Sequence, residues 1–206
     1  MVSRFLSVQD KEQVFLLRLE STDGTNRLTR ECVRSLTDVV AELALEKRPI
    51  VFAGNDRFFS AGAELEEISA LDGPAAFEFS KMGQALMDAI DCFPAPVYAA
   101  ISGYCMGGGL DLALACRHRI ASPNAVFGHR GAALGLITGW GWHPAVAPSD
   151  WQGTRFGDVY SGRENHGPAG IADWLGGRDR RRSGGRGDAP DQRGIIRSRF
   201  VECLTN

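Results

Sequence analysis

The sequence has no apolar run of about eighteen residues, the length a membrane-crossing helix needs, and its opening MVSRFLSVQDKEQVF has no signal-peptide core. It also has no surplus of either charge. Twenty-three Lys and Arg stand against 25 Asp and Glu, a net of −2, so nothing points to nucleic acid or to an anionic membrane. Cysteine is sparse and unpatterned: Cys32, Cys92, Cys105, Cys116 and Cys203 are odd in number and form no C-x-x-C pair. That favours a reducing cytoplasm over a disulfide scaffold or a zinc knuckle. What is present, 206 residues with 44% apolar and 23% charged, suits one soluble globular domain, alone or with a fragment, that can bury a sizeable core.

Two compositions meet near Trp140. No Trp precedes that residue and no Lys follows Lys81, while residues 141–206 hold ten Arg and twelve of the 25 Gly. The stretch GGRDRRRSGGRGDAPDQRG at 176–194 offers too little apolar surface to offset its ordering entropy. Its plain reading is an Arg/Gly tail, and RNA contact by such a tail would vanish at modest salt.

The first 140 residues alternate between strand and helix patterns. Apolar runs at 13–20, 49–54 and 96–103 read as strands. Helical spacing covers 29–46, with Thr29 placed to cap it, then 74–93, with Pro74 near its start, and 107–116. The segment HRIASPNAVFGH adds a short strand pair. Such alternation, with near-continuous apolar strands, predicts an α/β fold with buried parallel strands.

Two small-residue turns carry more than packing requires. One is Ser60-Ala61-Gly62-Ala63, which leads into an acidic helix start; the other is Gly107-Gly108-Gly109, which opens an apolar helix. Such turns let backbone N–H groups face a ligand, and a helix N-terminus adds partial positive charge. The spacing excludes the G-x-G-x-x-G dinucleotide turn, and no Lys-Ser/Thr follows to make a P-loop. Ser102 lacks a nucleophile elbow, and Cys116 with His118 is too little for a metal site. Asp111 lies among Leu110, Leu112, Ala113, Leu114 and Ala115, on a helix apolar nearly all round. A carboxylate there either complements the helix dipole or serves as a general acid/base in a dry pocket.

Taken together, PIVFAGNDRFFSAGAEL, GYCMGGGLDLALACRHRIAS and AVFGHRGAALGLITGWG resemble the enoyl-CoA hydratase/isomerase (crotonase) superfamily over roughly residues 10–141. The resemblance implies a crotonase-like spiral of ββα units, incomplete at the C-terminus, usually assembled as trimers or dimers of trimers. It implies an acyl-CoA substrate whose thioester oxygen is polarised by two backbone amides, here those of Ala63 and Gly108. No metal or redox cofactor is implied, since coenzyme A belongs to the substrate. Hydratases of the superfamily use two Glu. Asp111 matches the first, one methylene shorter, whereas the second falls on Gly131, which has no carboxylate. His129, two residues earlier, is the candidate proton carrier. Glu64 is expected to cap the next helix, with Glu66 and Glu67 facing solvent.

A second departure follows Trp140. The superfamily usually continues G-T-Q-R-L-P-R-L-I-G, and this chain reads WHPAVAPSDWQGTRFG. Permitted codons for Trp140 through Gly153, with one G removed from the run at Gly141, read W-G-G-T-Q-R-L-P-R-L-I-G-K. Continuing the same shift with permitted codons through Thr154–Arg178 makes K-G-R-A-L-E, and later A-L-R-I-G-L-V-D-E, readable. The expectation is a crotonase-like core over 1–141 followed by an atypical tail over 142–206, out-of-frame or disordered.

Overall fold

The computed structural model describes residues 2–129, residues 131, 134, 136, 139 and 140, and the backbone of 165–166. The expectations for the remainder of 142–206 lie outside the described residues.

The chain opens with β1 (Val2–Ser3), β2 (Leu6–Asp10) and β3 (Phe15–Leu19), a meander of antiparallel pairs. Then come β4 (Arg27–Leu28) and α1 (Arg30–Leu43). The Thr29 side chain accepts from Cys32 N at the start of α1, as the sequence predicts. One face of α1 is buried through Cys32, Val33, Leu36, Val39 and Val40, a helical stripe that joins the apolar core and packs against the later helix Gly73–Asp91.

From there the chain repeats a two-strand step. β5 (Ile50–Ala53) is followed by β6 (Phe58–Ser60), β7 (Gly62–Ala63), α2 (Leu65–Ser69) and α3 (Gly73–Asp91). β8 (Val97–Ile101) and β9 (Tyr104–Met106) precede α4 (Gly108–Ala115), and β10 (His118–Ala121) precedes β11 (Val126–Gly128). The first strand of each step joins a six-stranded sheet ordered β1-β2-β3-β5-β8-β10. The second joins another sheet, ordered β6-β9-β11 and closed by β12 (Asn165–His166), antiparallel to β11. Parallel pairing within both sheets makes this a spiral of ββα units. The strands at 118–121 and 126–128 therefore do not pair with each other, as a simple strand pair would; each extends a different sheet.

The middle strands are buried on both faces, which explains their unbroken apolar runs: all four residues of β5 are buried. Phe52 and Phe59 are fully enclosed, and each such side chain contributes roughly 1.5–3 kcal/mol relative to exposure. Asp72 caps α3 by accepting from Ala75 N, and α3 buries Phe79, Gly83, Leu86, Met87 and Ile90. At the far end of α4, buried Arg119 donates to the Cys116 carbonyl at 2.5 Å, a helix-end acceptor that would otherwise need water. Among the described residues, no helix is long and apolar enough to cross a membrane.

Candidate active site

The first small-residue turn is held from beneath by Asn26, which is buried and adopts a left-handed φ of 53°. Its side-chain amide donates to the Phe58 and Phe59 carbonyls, at 3.0 and 3.3 Å. Ser60 Oγ donates to Asn26 O and accepts from Gly62 N. Ala63 then pairs in register with Leu28. Gly62 has φ +93°, and a Cβ on it would lie 2.6 Å from Met106 O and 3.1 Å from Gly108 N. Only glycine fits there, because the second turn passes directly against it.

That second turn leaves β9 through Gly107, whose N–H donates to Gly128 O and whose carbonyl accepts from Leu110 N and Asp111 N. Gly108 is the first residue of α4, so its amide has no acceptor within the helix. A Cβ on Gly108 would stand 3.4 Å from Ala63 N. The amide-bearing backbones of Ala63 and Gly108 thus abut, on segments 45 residues apart in sequence (108 minus 63).

Asp111 lies on the first turn of α4 and is only 4% exposed, which matches the apolar surroundings read from the sequence. His129 follows β11 and is 7% exposed. Its Nε2 stands 3.8 Å from Asp111 Oδ2, an ion pair when the ring is protonated. Gly131 sits against the same ring: a Cβ there would be 3.2 Å from His129 Cε1 and 3.3 Å from Nδ1. The imidazole therefore borders the space in which a side chain at position 131 would begin.

Two acidic residues depart from expectation. Glu64 occupies the cap position of α2 but makes no side-chain cap; its carboxylate turns to Arg27 Nη1, 3.4 Å away. Glu67 is half-buried rather than solvent-facing, because it accepts from Arg30 N at 2.9 Å and so serves the start of α1. Glu66 is exposed, as expected.

The sequence reading overlooked Trp140 as a neighbour of this site. It is 4% exposed, donates from Nε1 to Phe79 O, and stacks obliquely on the Phe79 ring at 5.1 Å between centroids. The roles of Asn26 and Ser60 were also missed. The one signal in the sequence is Asn26 itself, the residue type that tolerates a left-handed turn.

A family model described as Enoyl-CoA hydratase/isomerase matches residues 9–148. A probable enoyl-CoA hydratase of Bacillus subtilis is 45% identical over 94 residues, covering 45% of this chain and 36% of that protein. A crotonyl-CoA hydratase of Syntrophomonas wolfei is 31% identical over 139 residues, covering 65% of this chain and 53% of that protein. The crystal structure of an enoyl-CoA hydratase from Bacillus anthracis aligns with a TM-score of 0.74 at 26% identity, over 83% of this chain and 68% of that one. The matched region spans between about a third and about half of the length of these two curated relatives.

Proposed function

The chain belongs to the enoyl-CoA hydratase/isomerase family, and from that premise we propose that it binds acyl-CoA thioesters and stabilises their enolates between the amides of Ala63 and Gly108. The observation that carries this reading is the contact of the two turns, with Gly62 and Gly108 each packed against the other segment's backbone. A thioester oxygen gains charge as its carbonyl becomes an enolate. Donors fixed in advance stabilise that charge without reorganising, and loss of one such donor typically costs about 3–4 kcal/mol of transition-state stabilisation. Neither donor needs a side chain, which accounts for the small residues in both turns.

The proton is handled by the Asp111–His129 pair. In the forward step the pair takes a proton from the carbon next to the thioester, and the electron pair moves onto the oxygen held by the two amides. Collapse of the enolate returns a proton to the chain of the substrate. Burial of both groups supports this assignment, because a dry site strengthens their interaction with a developing charge. His129 takes the place of the second carboxylate that Gly131 lacks, and the packing of Gly131 on the imidazole favours that substitution. The assembly expected of the family, a trimer or a dimer of trimers, is part of the same proposal and is read by sedimentation.

The glycine at position 131 also favours a second reading, a protein that binds acyl-CoA without turning it over. Crotonyl-CoA hydration and hydrogen exchange of butyryl-CoA in heavy water, measured beside binding, separate the two. Deuterium incorporation next to the thioester supports the enolate reading. Tight binding with neither exchange nor hydration supports the second, and absence of binding contradicts both.

A further inference from the structure

Two glycines on different helices are hollowed out around one indole. A Cβ on Gly83 of α3 would lie 2.2 Å from Trp140 Cδ1, and a Cβ on Gly108 of α4 would lie 2.5 Å from Cζ3 and 2.8 Å from Cε3. No real Cβ tolerates such distances, so both positions must be glycine while Trp140 stays where it is. The pyrrole side of the ring rests on α3 and the benzo side reaches the backbone of the proposed oxyanion donor. The preceding residue is anchored to the same helix: Gln84 Nε2 donates to Gly139 O at 2.7 Å, and Gly139 lies against Ser80. Trp140 is thus held on α3 by a hydrogen bond, a ring contact and its neighbour's attachment, with its outer edge against Gly108.

We infer that Trp140 is a specificity-determining residue: its indole walls off the space beside Gly108 and limits the size of the acyl group. This rests on the acyl-CoA reading above. A thioester oxygen held at Ala63 N and Gly108 N places the carbonyl carbon one bond away, and the acyl chain departs from that carbon. Whatever fills the volume against Gly108 therefore sets how the first few methylenes run. Trp140 precedes the expected insertion and is read as Trp in either frame, so its assignment does not depend on the residues that follow.

The full chain, with its Trp140→Ala and Trp140→Phe variants, is titrated calorimetrically with butyryl-CoA, octanoyl-CoA and free coenzyme A. Each methylene newly accommodated is worth about 0.8 kcal/mol, roughly fourfold in affinity. Removing the indole is expected to raise the ratio of octanoyl-CoA to butyryl-CoA affinity by about tenfold or more. Trp140→Phe, which trims the ring but keeps the slot packed, gives an intermediate ratio and still tests the idea if the Ala variant does not fold. Free coenzyme A binds all three alike. A ratio that stays constant while both affinities fall together means that Trp140 only holds the core, and overturns the inference. Wild-type protein that binds neither thioester overturns the acyl-CoA reading itself, a result distinct from an unchanged ratio.

Discussion

His129 Nε2 and Asp111 Oδ2 face each other across 3.8 Å in the interior of the molecule, one at the end of β11 and the other on the first turn of α4. The two reach one another because Gly107 ties the strand of one to the helix of the other, donating to Gly128 O while its own carbonyl accepts from Asp111 N. The pair is thereby part of the same backbone junction that carries Gly108.

If this pair moves the proton, Asp111→Asn and His129→Gln each lower deuterium exchange of butyryl-CoA by about 10²–10⁴-fold. Binding of butyryl-CoA changes little in either variant. The double variant is scarcely slower than the worse single one, because groups acting as a unit lose their effect together. Exchange rates followed by mass spectrometry, with calorimetric binding beside them, provide the check.

The cysteines give a separate prediction. Burial pushes the Cys32 and Cys116 thiols up to about 12, and drives Cys105 well above its ordinary value. Cys92 is exposed. At pH 8 an alkylating reagent labels Cys92 readily, while Cys32, Cys105 and Cys116 react only after denaturant is added, as peptide mapping would report. Above the ordinary thiol value of 9.0 the unfolded chain releases these protons while the folded chain retains them. Ionisation then favours unfolding. The contribution of the thiols to stability is therefore intact below about 9 and declines as pH climbs towards about 12, visible as a falling denaturation midpoint.

The abrupt change of composition after Trp140 yields a prediction about the gene. The family match ends at residue 148, a few residues past the point where the sequence leaves the pattern. Sequencing the DNA through the run of G at the Gly141 codon should return one G fewer, opening a frame that continues G-T-Q-R-L-P-R-L-I-G. A verified gene with the present frame intact, shared by related genes, contradicts this.

Much of this architecture is legible in the sequence for a simple reason. Strands buried on both faces, such as Ile50–Ala53, must be apolar throughout, and Thr29 marks the beginning of α1 by the chemistry of its hydroxyl. Asp111 stands out because a carboxylate among leucines is costly without a purpose. What the sequence conceals depends on contacts between distant segments. Nothing local reveals that Gly83 is small in order to admit an indole 57 positions later (140 minus 83). Similarly, Glu67 reads as a solvent-facing helix residue until α1 is seen to begin beside it. The same holds for β10 and β11, which adjoin in sequence yet enter different sheets, since pairing partners are chosen by the strands already in place.

If the amides of Ala63 and Gly108 polarise a thioester carbonyl, vibrational spectroscopy of the bound ligand detects it. Difference infrared spectra of butyryl-CoA labelled with carbon-13 at the thioester carbon, taken with the full-length chain, isolate the bound carbonyl stretch. Two converging amide donors predict a clear shift to lower frequency on binding, preserved in Asp111→Asn, which leaves both donors in place. A bound thioester whose carbonyl keeps its solution frequency would contradict the account.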